Sequence, residues 1–336
     1  MPRIPEESLQ CVFYLYETED DAIYGVQTGG TGFFVGVQST RFPERSDVYA
    51  ITCKHIVKPQ EGTGFVPSPV IRLNTRLGNF DTIPLETRDW YTFEEIFPDE
   101  KHDIAIHELG SIHSDHIVVF ILRPQLSSET EIKKYEVGVG DDVFMVGRYI
   151  DHDGRQRNRP SVRFGNISMM PDESERLYHW EGYEEVSYIV EMRSVSGYSG
   201  SPVYAYELGF EQPLKIKSDM KTAVLMRLLL GMQWSQPPHE EYHAEMNRYI
   251  KVYAGMSNVI PAWYIDRMLD WEVFKMHRKE NDEKYAQEQE KKRTQLPTGA
   301  NRETKPLTKE AFHEVLRKVS RPDQLAPDEE TPHKPE

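Results

Sequence analysis

The sequence predicts an all-β protein that ends in helix and a polar tail, on three observations. Short runs rich in β-branched and aromatic residues recur up to about residue 261, among them 12–16, 32–37, 48–53, 70–74, 117–122, 143–150, 161–167, 187–192, 223–234 and 250–254. Glycine, proline, asparagine or aspartate separates many of them. No repeat recurs at a fixed period. This spacing fits an antiparallel sandwich or barrel better than alternating β and α units. The polar stretch 123–129, Arg-Pro-Gln-Leu-Ser-Ser-Glu, is the best internal boundary and separates two β-rich parts, 1–125 and 126–260.

The pattern changes at Pro261, a residue suited to the first turn of a helix. Ile265, Met268, Leu269, Val273 and Met276 then fall at helical spacing and predict a docked apolar face within 261–295. After Met276 the helix turns almost wholly polar. The remaining stretch, 296–336, reads as linker, a short helix capped by Thr308 with Phe312, Val315, Leu316 and Val319 on one face, and a disordered end rich in proline and acid. That short helix is expected to serve either as a strap packed on the domain or as a docking element for a partner.

Charge narrows the function. The chain of 336 residues has a formal net charge of −15, and residues 1–276 hold 27 basic against 42 acidic side chains. A folded region this acidic argues against nucleic acid as the principal partner, because phosphate binding needs a basic face, and it attracts cationic peptides or basic proteins instead. Two cysteines, Cys11 and Cys53, are too few for a disulfide framework. The amino terminus lacks the basic and then apolar run of a signal peptide, and no apolar segment approaches membrane-spanning length, so a cytoplasmic protein with no membrane partner is expected. Asn166-Ile167-Ser168 is formally a glycosylation site, of consequence only in a secreted protein.

The stretch Gly197-Tyr198-Ser199-Gly200-Ser201-Pro202 packs two glycines, three hydroxyls and a proline between two apolar runs. A tight turn of this composition can push one serine outward and free neighbouring N–H groups. Nucleophilic serine chemistry needs in addition a base and a group that orients the base. His55 directly follows one strand-like run, and Asp103 opens another. Each residue alone has a blander reading, as a turn serine, a structural histidine and a strand-start aspartate.

Taken together these motifs resemble the chymotrypsin/trypsin-like serine peptidases, most closely their bacterial branch. Gly30-Thr31-Gly32-Phe33-Phe34-Val35 resembles the glycine-bearing strand before the histidine, and Thr52-Cys53-Lys54-His55 the histidine motif. Asp103-Ile104-Ala105-Ile106 resembles the aspartate motif, Gly197 to Val203 the nucleophile motif, and Leu230-Gly231-Met232-Gln233-Trp234 the cleft-lining strand. The resemblance implies two antiparallel six-stranded β-barrels followed by a helix. It implies His55 as general base, Asp103 as its orienter, Ser199 as nucleophile, and the N–H groups of Gly197 and Ser199 as oxyanion hole. It implies peptide or protein substrates and neither cofactor nor metal. A catalytically inert relative that binds peptides in the same cleft is the alternative reading.

Departures from the family pattern refine these expectations. Tyr198 stands where zymogen-type members carry an acidic residue, which argues against activation by a newly cut amino terminus. Ser201 replaces a glycine, as in the glutamyl endopeptidases, whereas Gln233 replaces the histidine those enzymes use to hold an acidic side chain. Arg193 and Ser194, with Gln233 and Trp234, are the expected substrate-binding residues.

Other motifs carry less. His239-Glu240-Glu241-Tyr242-His243 satisfies the zinc-protease pattern but follows two prolines in a polar segment, with little support for the helix it needs. Gly29-Gly30-Thr31-Gly32 lacks the full dinucleotide fingerprint. Cys53 reads as a buried apolar thiol. Arg193 and Ser194, just upstream of the nucleophile motif, predict a polar specificity pocket that prefers Gln or an acidic residue before the scissile bond. Profiling with a peptide library checks this, and dominance of Lys or Leu at that position contradicts it.

Overall fold

The computed structural model describes residues 4–25, 29–58, 69–109, 115–152, 154–192, 197–206, 228–243, 248–253 and 255–295. Chain contacts divide Met1–Lys284 from Tyr285–Glu336, and the features below lie in the first unit except for the end of the last helix. Arg193, Ser194 and the tail residues Phe312, Val315, Leu316 and Val319 lie outside the described residues.

The protein is mostly β. Its first part holds strands β1 (Val12–Tyr16), β2 (Gly30–Gln38), β3 (Ser46–Thr52), β4 (Val70–Asn74), β5 (Phe80–Pro84), β6 (Trp90–Thr92), β7 (Ala105–Leu109) and β8 (Ile121–Leu122). They form one sheet in the order β5-β4-β1-β2-β3-β7-β6, with β8 parallel to β2. This is a half-barrel rather than the closed six-stranded barrel expected, because among the described residues the end strands β5 and β6 do not pair.

The second part is a closed barrel of six strands. In chain order it uses β9 (Asp142–Gly147) and β10 (Ser161–Met169), then, after the hairpin β11 (Leu177–His179) and β12 (Tyr183–Glu185), β13 (Tyr188–Glu191), β14 (Pro202–Ala205) and β15 (Leu229–Ser235). A second hairpin, β16 (Pro238–His243) and β17 (Arg248–Tyr253), precedes the closing strand β18 (Met256–Pro261). The segment 123–129 crosses from one sheet to the other, and Leu126 bridges to Leu229.

Alternation explains how the two sheets share a core. Successive side chains of a strand point to opposite faces. Phe13, Leu15, Phe34 and Ala50 therefore fill the half-barrel's own interior. Their neighbours Val12, Phe33, Val35 and Ile51 pack in a cluster that also holds Phe144, Tyr204, Met232 and Trp234 from the barrel. Strands covered on both faces read as unbroken apolar runs, as the buried β1 does.

After β18 the helix Ala262–Leu269 buries Ile265, Met268 and Leu269, as its periodicity predicts. The chain then breaks at Asp270 and Trp271, and a second helix runs Glu272–Gln295. The break shifts the helical phase, so Phe274 is buried and Met276 is exposed, contrary to the single stripe expected. Arg278 donates to the Tyr49 hydroxyl and to the Leu269 carbonyl, which ties the second helix to the half-barrel. Among the described residues no helix is long and apolar enough to cross a membrane.

Thr31 joins the two sheets at both backbone and side-chain polar atoms. Thr31, at the start of β2, donates its N–H to the Ser199 carbonyl at 2.9 Å and its hydroxyl to the Gly197 carbonyl at 2.7 Å. The same hydroxyl accepts the Arg148 N–H at 2.9 Å. Removing a buried partner costs about 1–3 kcal/mol for each group left unsatisfied. Thr31→Val is therefore expected to lower the unfolding free energy by roughly 2–4 kcal/mol and Thr31→Ser by much less, as measured by urea denaturation.

Candidate functional site

Strand register brings His55 and Asp103 together. β3 and β7 pair antiparallel with Thr52 opposite Ala105, so the chain leaving β3 runs beside the chain entering β7. A single helical turn, Lys54–Val57, presents His55 there. His55 donates its backbone N–H to Asp103 Oδ1 at 2.9 Å, and His55 Nδ1 lies 2.6 Å from Asp103 Oδ2. Both carboxylate oxygens are thus bound to one residue, which sets the imidazole's position and its tilt. Nδ1 bears the proton when it faces a carboxylate, so Nε2 is left as the acceptor.

Asp103 is fully buried. Burial works to raise its carboxyl, but the opposing charge and hydrogen bonds of His55, with the nearby His179, outweigh it and hold the group at about 2.

The serine turn is shaped by its glycines. Ser201 N–H donates to the Tyr198 carbonyl at 2.8 Å and closes the turn, with Gly197 at φ +96° and Gly200 at φ +86°. A Cβ on Gly200 would lie 1.9 Å from the Thr31 carbonyl oxygen, so glycine is required for conformation and for space. Tyr198 is buried and its hydroxyl meets Ser161 and the Arg163 Nε–H on β10, so the bulky residue anchors the turn to the barrel. Ser201 is buried, and its hydroxyl has no partner among the described residues. Ser199 is half-buried and therefore the more accessible of the two. Its Oγ donates to the Trp234 carbonyl at a long 3.4 Å. Among the described residues nothing accepts from the N–H groups of Gly197 and Ser199.

The turn abuts the His55 segment. A Cβ placed on Gly30 would lie 2.3 Å from Ile56 Cδ1 and 2.9 Å from the Ser199 carbonyl oxygen. The Gln233 carbonyl accepts from both Gly200 N–H and Cys53 Sγ. Gln233 itself is buried, with Nε2 donating to the Ser235 carbonyl. The Trp234 ring is buried and donates to Ser187 Oγ, so this residue faces Ser199 with its backbone carbonyl rather than its indole.

A contribution that no sequence motif signals comes from the β11–β12 hairpin. Its three-residue connection, Trp180-Glu181-Gly182, needs φ +86° at Gly182, the position at which glycine closes such hairpins. Glu181 pairs with Lys54 at 2.7 Å. Trp180 meets the His55 ring edge-on at 5.1 Å between centroids. Glu185, fully buried, accepts the Asp103 N–H at 3.0 Å and pairs with His102 Nδ1. Burial raises the Glu185 carboxyl despite these partners. An aromatic run interrupted by Glu-Gly was the available signal for the hairpin, but strands of three residues leave too little alternation to read.

Metal chemistry finds poor support in the side chains. Cys53, His55 and Asp103 place ligand atoms within 4.8 Å of one another. Burial, and then the Asp103 charge, raise the Cys53 thiol well above its ordinary range, whereas a metal requires the thiolate. The pattern from His239 to His243 lies on strand β16, not on a helix.

The half-barrel carries a histidine–carboxylate pair and the closed barrel a glycine-flanked serine turn. Residues 30–209 match the family described as the trypsin-like peptidase domain, and the chain belongs to that family. Among solved structures it is similar to the apo MamO protease domain from Magnetospirillum magneticum, at 14% identity over 79% of this chain and 98% of that one, with a TM-score of 0.43. It is also similar to the active form of the Rv3671c protease from M. tuberculosis, at 12% identity over 79% and 82% of the two chains, with a TM-score of 0.39. No curated protein sequence matches the chain significantly.

The depressed Asp103 carboxyl links this pair to stability. A folded-state value near 2 against an ordinary 3.8 corresponds to about 2 kcal/mol, present above the ordinary value and lost as pH falls through the folded one. The urea midpoint of wild type is expected to fall toward that of Asp103→Asn as pH drops from about 5 to about 2.

Proposed function

We propose that the chain is a serine endopeptidase that cuts peptide bonds of protein substrates through an acyl-enzyme, with neither metal nor cofactor. The observation that carries this reading is the His55–Asp103 pair beside the 197–201 turn, supported by membership of the trypsin-like peptidases. His55 Nε2 takes the proton of Ser199 Oγ as that oxygen attacks the scissile carbonyl carbon. The carbonyl oxygen becomes an oxyanion and receives the N–H groups of Gly197 and Ser199, an interaction worth several kcal/mol in sites of this kind. His55 returns the proton to the leaving amine as the C–N bond breaks. Water, deprotonated by His55, then attacks the acyl carbon, and Ser199 leaves with the proton. Asp103 stays ionised throughout and stabilises the imidazolium.

Tyr198 supports a constitutive turn. Its side chain is bound to Ser161 and Arg163, an internal anchor in place of a newly cut amino terminus. A second reading, an inert member that binds peptides, draws on the Ser199 hydroxyl, which is bonded to the Trp234 carbonyl. Catalytic hydrogen bonds are often long or misdirected until substrate binds, so this resting contact does not count against the enzyme.

A fluorophosphonate probe separates the two readings. Wild type is expected to label and Ser199→Ala not to. Asp103→Asn is expected to label more slowly by at least about a thousandfold, since the wrong histidine tautomer then faces the serine. Folded wild type that fails to label supports the binder.

A further inference from the structure

We propose that His179 is a second positioning imidazole for the site, one that delivers a neutral N–H to the Asp103 carboxylate and so holds the His55–Asp103 pair in its working arrangement. The proposal rests on the serine-peptidase reading and assigns a role to a residue that lies outside all the motifs of that reading.

The proton inventory of His179 supplies the argument. The Glu181 backbone N–H donates to His179 Nδ1 at 3.1 Å, so Nδ1 is an acceptor and the proton of the neutral ring sits on Nε2. That nitrogen lies 3.6 Å from Asp103 Oδ2 and has no hydrogen-bond partner among the described residues. The side chain is fully buried and out of reach of bulk solvent. A buried donor without a partner costs about 1–3 kcal/mol, and the nearest charge of the right sign is the Asp103 carboxylate. At 3.6 Å the contact is beyond normal hydrogen-bond length, and a small inward shift completes it.

The surroundings hold the ring on that line. Its plane stacks on Tyr183 at 4.2 Å, on Trp180 at 4.1 Å and on Trp234 at 4.7 Å between centroids. Tyr183 lies directly opposite His179 in the hairpin register. The hairpin is latched at two further points, Glu181 to Lys54 and Glu185 to the Asp103 N–H, so its inner face closes over the residues on either side of the pair. The titratable groups that meet the ring or its partner are Asp103, Tyr183 stacked on its plane, and His55, whose Nδ1 shares Asp103 Oδ2. Glu181 and Glu185 lie on the same hairpin and face Lys54 and His102. The Glu181 N–H occupies Nδ1, so Nε2 is the ring nitrogen left to face Asp103. Asp103 then divides its charge between His55 and His179. Without His179 the whole charge acts on protonated His55, which favours that form and moves the onset of activity to higher pH.

The test is the second-order rate of fluorophosphonate labelling from about pH 5 to about pH 9, with the melting temperature measured in parallel. His179→Phe keeps the stacking and removes the donor. It is expected to label about 10–100-fold more slowly, with the acid limb of the profile moved up by about half to one pH unit. His179→Gln restores an N–H at the same reach and is expected to return the rate to within about threefold of wild type, with the limb near its original place. The proposal is overturned if His179→Phe labels at the wild-type rate with an unmoved limb while Ser199→Ala stays unlabelled, in which case the serine reading stands alone. It is equally overturned if both His179 variants lose melting temperature and rate together with the limb unmoved, which marks a packing role. Folded wild type that does not label removes the serine reading and this inference with it.

Discussion

A single buried negative charge organises this part of the molecule. An ionised carboxylate without solvent exposure is tolerated only where donors surround it. Asp103 meets that demand with the N–H and ring of His55 from the end of β3, while the His179 ring of the β11–β12 hairpin brings Nε2 to 3.6 Å from the same carboxylate. Glu185 on the same hairpin takes the Asp103 N–H and is itself buried against His102. Two buried carboxylates at consecutive positions of one network would repel, and His102 on one and His55 on the other keep the arrangement affordable. The orientation of the His55 imidazole is thus a by-product of solvating one charge inside protein.

The second constraint is the seam between the sheets. Thr31 binds two carbonyls of the serine turn and one N–H of the barrel, while Thr52 binds the Thr31 carbonyl at 2.7 Å. The carbonyl of Thr31 is also the atom that forbids a side chain at Gly200. One peptide unit therefore supports the histidine strand and limits the turn at once. A displacement at that point alters the backbone on which Ser199 sits and the strand that leads to His55, which couples the two halves of the site without any direct bond between Ser199 and Asp103.

Much of this was legible in sequence and some was not, for identifiable physical reasons. The strands around Phe33, Ile51 and Phe144 are buried on both faces and read as apolar runs of ordinary length. His55 and Asp103 stand at the ends of two such runs, so their approach follows once β3 and β7 are adjacent. The helix break at Asp270 was not legible, because Val273 and Met276 continue the earlier spacing although the chain has changed phase. The hairpin was missed for a different reason. His179 and Glu185 find their partners at Asp103 and His102, more than seventy residues earlier, and nothing local distinguishes them from surface polar residues. Arg193 and Ser194, chosen for the specificity pocket, lie outside the described residues.

The hairpin also changes how the two sheets relate to function. If each contributed only its own site residues, each could be optimised alone. Instead, an excursion between β10 and β13 of the barrel reaches across to the pair carried by the half-barrel: Glu181 pairs with Lys54, Trp180 meets the His55 ring, Glu185 takes the Asp103 N–H, and His179 Nε2 comes to 3.6 Å from the Asp103 carboxylate. Three-residue strands cannot hold such a reach by ladder bonds alone, so the stacked rings of His179, Trp180, Tyr183 and Trp234 supply its rigidity. Trp234 is at the same time the residue whose carbonyl faces the Ser199 hydroxyl. The aromatic stack therefore lies against His55, Asp103 and Ser199 through three adjacent groups, and its packing links the geometry of all three.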